Sequence, residues 1–320
     1  MVINDNIYGK IKIVEPVLLE LLKTPSILRL KKISQFGIPD KYYHFKNYSR
    51  YEHSVGVMIL LRKLKATLEE QVAGLLHDVS VLAFSHITDW LFGDGRKGVE
   101  DYHDSIHGAF VKKTEIPKIL EKYDFLEDRI LDEHNFTLLE RKAPDLCADR
   151  IDYALREFKY WLNFKIVSGC IKSLVNYNGE MVFSNEKIAF DFAINYLQLQ
   201  TEHWGGYEAM MRYHLFSNVL EKVIGNGLLK EKDFYKDEKY VLDKFENIKD
   251  NEIQQTLKIL RNKKLPDMRN RSRQKVIKKF RFVDPKVLAD NKIERLSQIN
   301  FEFAEILKKH SEINKRGLYV

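Results

Sequence analysis

The stretch AGLLHDVSVLAFSH, residues 73–86, constrains this chain most. Its apolar residues continue the i, i+3, i+4 spacing of a buried helical face, so the segment enters a core. It nevertheless carries His77 and Asp78 side by side, and His86 nine positions on. Burying such groups among Ala, Leu, Val and Phe is costly unless they are paired or bind a metal. The fold must therefore supply them with a satisfied core partner or with a cation. Ser80 marks a break in the helical run.

The chain has 320 residues, enough for one large domain or for a main domain with a smaller appendage. Hydrophobic content of 44% with 31% charge is that of a soluble globular protein. MVINDNIYGK lacks the apolar stretch of a signal peptide, and runs such as VLLELL (17–22) fall far short of the ~20 residues of a membrane span. Cys147 and Cys170 make no disulfide framework, so a cytoplasmic, reducing location is expected. The net charge of +7 is concentrated. Residues 258–281 hold eleven Lys or Arg against Asp267 alone, net +10, which leaves −3 for everything else. That segment is either a solvated basic helix or a polyanion site, for nucleic acid or a nucleotide effector.

Most of the sequence has helical periodicity. APDLCADRIDYALREFKYWL opens near Pro144 and runs helically through Leu162, and the pattern returns from about Lys187. Asn178-Gly179 between β-type residues predicts one two-residue hairpin. A last helix is expected near 292–309. The fold class expected is all-α with one small β-hairpin and a C-terminal helical extension.

One His-Asp dipeptide says little, since His103-Asp104 is another. The partners at wide spacing say more. RYEHSVGV places Arg50 and His53 about a helix length upstream, and DLCADRIDYALRE places Asp149 and Asp152 at i and i+3 on one face. Two imidazoles and two carboxylates from three helices are the donor set of a borderline divalent metal. His103 and His107, four apart, fit a second metal position. His44, His134, His203 and His310 have no partner pattern and read as ordinary histidines. The YWLNF and FDFAINY aromatics read as core, and Gly205-Gly206 as a turn.

The ordered set His53, His77-Asp78 and Asp149 resembles the HD-domain phosphohydrolases, a helical superfamily of metal-dependent enzymes. YGKIKIVEPVLLELLKTPSILRLKKISQFG, SRYEHSVGVM, AGLLHDV, FSHITD, YHDSI and ADRIDYALRE look like the deoxynucleoside triphosphate triphosphohydrolases over roughly residues 8–160, and the likeness fades beyond 215. It implies a phosphohydrolase domain over 1–215 and a C-terminal helical subdomain over 216–320 that carries the basic segment. It also implies four metal ligands, His53, His77, Asp78 and Asp149, with the ion open among Fe, Mn, Zn, Ni, Co and Mg. Arg50 and Arg150 would hold phosphate oxygens, Tyr153 would face the sugar, and Gln35 with Phe36 would lie near sugar and base. His86, Asp89 and His103 would surround the scissile α-phosphate and its leaving oxygen. The chemistry agrees: the metal polarises phosphate and water, arginine forks pair with two oxygens, and a histidine supplies a proton.

Ser80-Val81 stands where the family usually has Gly-His, Glu157 where an Asp often contacts the sugar, and Leu215 where a lysine would be. These changes spare the metal site and bear on the triphosphate. The activity the resemblance implies is hydrolysis of dNTPs to deoxynucleoside and triphosphate, a reading that these departures weaken. Hydrolysis of another phosphate ester, such as a nucleoside monophosphate or a modified nucleotide, stands beside it. So does a nucleotide- or nucleic-acid-binding regulator without turnover. The resemblance also implies dimers or higher oligomers, and no membrane partner.

Overall fold

The helix Arg50–Lys63 starts at a capping box: the Ser49 hydroxyl accepts from Glu52 N, and the Glu52 carboxylate accepts from Ser49 N at 2.9 Å. The following helix, Leu68–Leu76, is capped by Thr67 and packs against it. A third helix, Ala148–Trp161, also packs on the first. These three helices hold the His53, His77-Asp78 and Asp149 positions. The computed structural model describes residues 1–97, 99, 102–162, 164–266, 275–276 and 279–319.

Three expected helices differ from what their periodicity suggested. The run through residue 92 is two helices, Leu68–Leu76 and Ile87–Phe92, joined by turns. His77 ends the first, because its Nδ1–H donates back to the Gly74 carbonyl at 2.8 Å, one of the orphan carbonyls of a helix end. Arg29 Nη2 then holds the carbonyls of Val79 (3.0 Å) and Val81 (2.7 Å), fixing the turn. The helix expected from Pro144 begins at Ala148. Residues Lys292–Arg295 of the expected last helix form a strand, and the helix itself is Phe301–Lys315.

The hairpin at Asn178-Gly179 forms, with strands Leu174–Tyr177 and Glu180–Phe183 and both turn residues at positive φ (52° and 82°), as a type I′ turn demands. It extends into a four-stranded sheet: Phe183 pairs parallel with Val287 on Lys286–Ala289, which pairs antiparallel with Lys292–Arg295. A second hairpin, Val2–Asp5 with Gly9–Lys12, carries too few apolar residues to have announced itself.

Two hydrophobic clusters organise the described residues. One spans the N-terminal two-thirds of the chain and takes in Val283, Val287, Leu296 and Phe303. The other joins Phe36–Trp90 to residues 209–265. The 215/216 position lies within the helix Tyr207–Gly225. Of the basic segment, Lys258 ends the helix Asn251–Leu260, Lys275–Val276 pairs with Leu318–Tyr319, and residues 267–274, 277 and 278 lie outside the described residues. No helix among the described residues is long and apolar enough to cross a membrane.

Candidate functional site

His53 lies in the first turn of its helix and is fully buried. Its Nδ1–H donates to Asp152 Oδ2 at 2.8 Å, which turns Nε2 toward Asp149 Oδ1 at 2.8 Å. His77 is set the same way, with Nδ1 on the Gly74 carbonyl and Nε2 facing inward, 3.2 Å from His53 Nε2 and 3.6 Å from Asp149 Oδ1. Asp78 Oδ2 is 3.8 Å and 3.7 Å from the two Nε2 atoms. His53, His77 and Asp149 each offer an atom to one point, all within 4.8 Å of one another. Two Nε2 atoms converge with carboxylate oxygens while each Nδ1 is fixed by a hydrogen bond, which is how metal-binding histidines are oriented. The residues fit a divalent ion: His53, His77 and Asp149 converge to hold one, and Asp78 lies beside them with its Oδ2 on Arg50.

The electrostatics of the cluster agree. Burial opposes a charge on His77, yet the carboxylates of Asp78 and Asp149 push its pKa up to about 10. Burial is likewise overcome at His53, raised by Asp149 and Asp152, while Asp78 and Asp149 sit well below the usual carboxylate range.

A buried ion chain backs His53. Arg156, fully buried, donates from Nε to Asp152 Oδ2 (2.8 Å) and from Nη2 to Asp5 Oδ2 (2.8 Å), so the N-terminal hairpin braces the centre. Gly56, one turn after His53, makes room: a Cβ there would fall on the Arg156 guanidinium and the Asp152 carboxylate.

Arg50 is buried against the same centre. It donates to Asp78 Oδ2 (2.7 Å), Ser85 Oγ (3.1 Å) and the Gln35 carbonyl (3.2 Å), with Nη2 3.3 Å from His86 Nε2. His86 Nδ1 is 3.5 Å from Asp89 Oδ2, and Asp89, almost wholly buried, is fixed through Tyr102 N. Gly37, at φ +71°, lets this loop meet residues 84–86, since a side chain there would strike the Phe84 carbonyl. Arg150 also lines the cleft, with its guanidinium donating to the carbonyls of Asp145 and Arg141, to Glu140 and to Cys147 Sγ.

The centre opens into a cleft of about 490 Å³, within the range of small-molecule sites. His103 lines it, 3.0 Å from Asp104 Oδ1, and so does His107, whose Nδ1 meets Ser80 Oγ at 2.9 Å. Burial and the neighbouring His77 and His103 push the His107 pKa down to about 4. Asp132, Glu133 and Glu140 make the outer wall acidic, and burial raises Glu133 to about 8. Val81 is buried in the main core and Leu215 packs on the second cluster, so neither reaches the cleft.

A smaller aromatic chamber adjoins. Gln35, His86, Tyr153 and Arg281 line both spaces, while Phe36, Glu157, His203 and Trp204 line the chamber. Glu157 accepts from Tyr48 Oη (3.3 Å) and Trp204 Nε1 (2.8 Å), and burial holds its pKa well up. Gln35 Oε1 and His203 Nδ1, both buried, have no partner among the described residues. His203, Trp204 and Arg281 were not singled out by the sequence. His203 and Trp204 sit in a π-helical turn, Gln200–Trp204, that periodicity does not reveal, and Arg281 was submerged in a charge run.

A model of the HD domain matches residues 50–156. The chain is 33% identical to an uncharacterised Bacillus subtilis protein, YdhJ, over all of this chain and 98% of that one. It is 31% identical to the metal-dependent phosphohydrolase cns2 of Cordyceps militaris, over 72% of this chain and 69% of the relative. The deoxynucleoside triphosphate triphosphohydrolase SAMHD1 of Bos taurus matches at 37% identity over only 28% of this chain and 18% of its own. The crystal structure of a hypothetical Aquifex aeolicus protein shares the fold at TM-score 0.68 and 19% identity, covering 95% of this chain and 93% of the other.

Proposed function

Because this chain belongs to the HD-domain metal-dependent phosphohydrolases, we propose that its substrate is a nucleotide, with the nucleoside in the aromatic chamber and the scissile phosphate over the metal centre. One observation carries this: the cleft lined by His77, Asp78 and Asp149 and the aromatic chamber share a wall made of Gln35, His86, Tyr153 and Arg281. When bound at His53, His77, Asp78 and Asp149, the metal would polarise a phosphate oxygen and lower the pKa of a water.

The chain's own groups do the rest. Arg50 neutralises charge beside Asp78, and its planar fork suits phosphate oxygens. His86 stands at the junction of the two spaces, held between Asp89 and Arg50, where a proton for the leaving oxygen is needed. Gln35 Oε1 and His203 Nδ1 offer unsatisfied polar atoms to the sugar or base, and Phe36 offers an aromatic wall. His103 faces the cleft on the phosphate side.

The family resemblance points to deoxynucleoside triphosphates. A second reading, a nucleoside monophosphate or another short phosphoester, is favoured by a specific feature. Arg150, a cleft residue, is already engaged by Glu140 and by backbone carbonyls, and Asp132 lines the same cleft, which leaves fewer groups for a tail of three phosphates. Product analysis decides between them: the protein with Mn²⁺ or Mg²⁺ is given each dNTP, rNTP and NMP, beside Asp78→Ala. Deoxynucleoside plus intact triphosphate establishes the first reading, and orthophosphate from monophosphates the second. Turnover of none, with metal bound, refutes both.

A further inference from the structure

The cations of the cleft come from two parts of the chain. Arg50 is tied to Asp78, and Arg150 to two carbonyls, a carboxylate and a thiol. Two more come from the C-terminal part of the chain, well outside the matched HD residues 50–156. Lys279 lines the cleft, and Arg281 lines both the cleft and the aromatic chamber.

Their placement is built in. Gln200, buried at the start of the π-helical turn, brackets the segment with its side-chain amide. Its Nε2 donates to the Lys279 carbonyl (3.2 Å) and to Asn314 Oδ1 (3.1 Å), and its Oε1 accepts from Arg281 N (3.2 Å). The intervening Phe280 stacks on Phe282, with ring centroids 5.1 Å apart and planes 20° from parallel, and both pack against the main core. Backbone clamp and aromatic anchor together hold the Arg281 side chain at the shared wall, about where a phosphoester would join a nucleoside to the metal.

We propose that the segment Lys279–Phe282 is a wall of the active site, and that Arg281 binds the phosphate oxygens of the substrate where the two spaces meet, with Lys279 as a second cation. This rests on the nucleotide reading for the identity of the organic group, but not for the anion. An arginine fork is suited to the task, because it meets two oxygens at once and keeps its charge at any working pH. Gln200 is a positioning residue, acting through the backbone of the segment.

The test uses the full chain loaded with Mn²⁺, with inorganic phosphate and dAMP as calorimetric probes and steady-state kinetics where turnover is found. Arg281→Ala is expected to weaken both ligands roughly tenfold or more, as loss of a charged hydrogen bond does, and to raise KM more than it lowers kcat. Arg281→Lys should fall between, and Gln200→Ala should weaken phosphate binding several-fold with metal content unchanged. Lys308→Ala, an exposed change of the same charge, should bind as the parent does. Phosphate affinity within twofold of the parent in a folded Arg281→Ala overturns the assignment, as does a parent protein that binds neither probe. Should Arg281→Ala not fold, Arg281→Lys and Gln200→Ala decide by the same criterion. A parent that binds phosphate through Arg281 but cleaves no nucleotide refutes the nucleotide reading and leaves this one standing. Nucleotide cleavage with KM unmoved in Arg281→Ala does the reverse.

Discussion

Replacing Asp152 by asparagine tests how this chain orients its metal ligands. Asp152, His53 and Arg156 are all fully buried, and one carboxylate oxygen of Asp152 accepts from both His53 Nδ1 and Arg156 Nε at 2.8 Å. An asparagine oxygen in the place of Oδ2 can accept both bonds, but the substitution loses the Arg156 Nη2 bond to Oδ1 (3.2 Å) and the negative charge that makes His53 a stronger donor of its Nε2 lone pair. Loss of such an outer partner typically weakens metal binding 10–100-fold, about 1.4–2.7 kcal/mol. Arg156 retains Asp5 at 2.8 Å, so the stability cost should stay below the ~3–5 kcal/mol of a wholly unpaired buried charge, on the order of 2 kcal/mol. The assay is chelator-competition titration of Mn²⁺ into metal-free protein, with thermal unfolding of the metal-free form recorded separately. Metal affinity within twofold of the parent, while Asp78→Ala loses binding, would refute the idea that Asp152 tunes His53.

Three further predictions follow from the same geometry. Gly56→Ala should destabilise by about 1–3 kcal/mol through overpacking onto Arg156 and Asp152 and should lower metal occupancy, whereas Ser54→Ala, which removes an unpartnered buried hydroxyl, should not; denaturant unfolding and metal analysis compare the two. Because the metal-free cluster holds His77 up to about 10, a metal must displace protons, so affinity should rise with pH across 6–9; calorimetry in two buffers of different ionisation enthalpy counts the protons, and a count of zero refutes the proton-filled cluster. Burial raises Glu238, which accepts from Ser34 N and Oγ, from the ordinary 4.5 to about 7. The folded state therefore holds that proton more tightly, and stability is lost as pH rises from about 4.5 through 7, by at most ~3 kcal/mol. Glu238→Gln should flatten this slope in melting scans from pH 5 to 8, and an unchanged slope would assign it to another group.

Much of the centre was legible because its chemistry is intolerant. An imidazole beside a carboxylate in an apolar helix has few physical excuses, and the Arg50–His53 and Asp149–Asp152 spacings supplied the partners. Helix limits were less legible, since periodicity does not show that His77 caps its own helix through Gly74 or that Arg29 pins the next turn. The strand Lys292–Arg295 was read as helix because its pairing with Lys286–Ala289 is a contact between segments, not a local preference.

The sequence by itself determined the candidate ligand types and their order along three segments, and hence that a divalent ion suits the centre, since these depend on side-chain chemistry and local spacing. Tertiary structure alone decided which cations face the cleft. Arg150, next to a ligand in sequence, is turned onto Glu140 and backbone carbonyls. Arg281, some 130 residues away, is brought to the shared wall because a buried glutamine in a π-helical turn holds its backbone there.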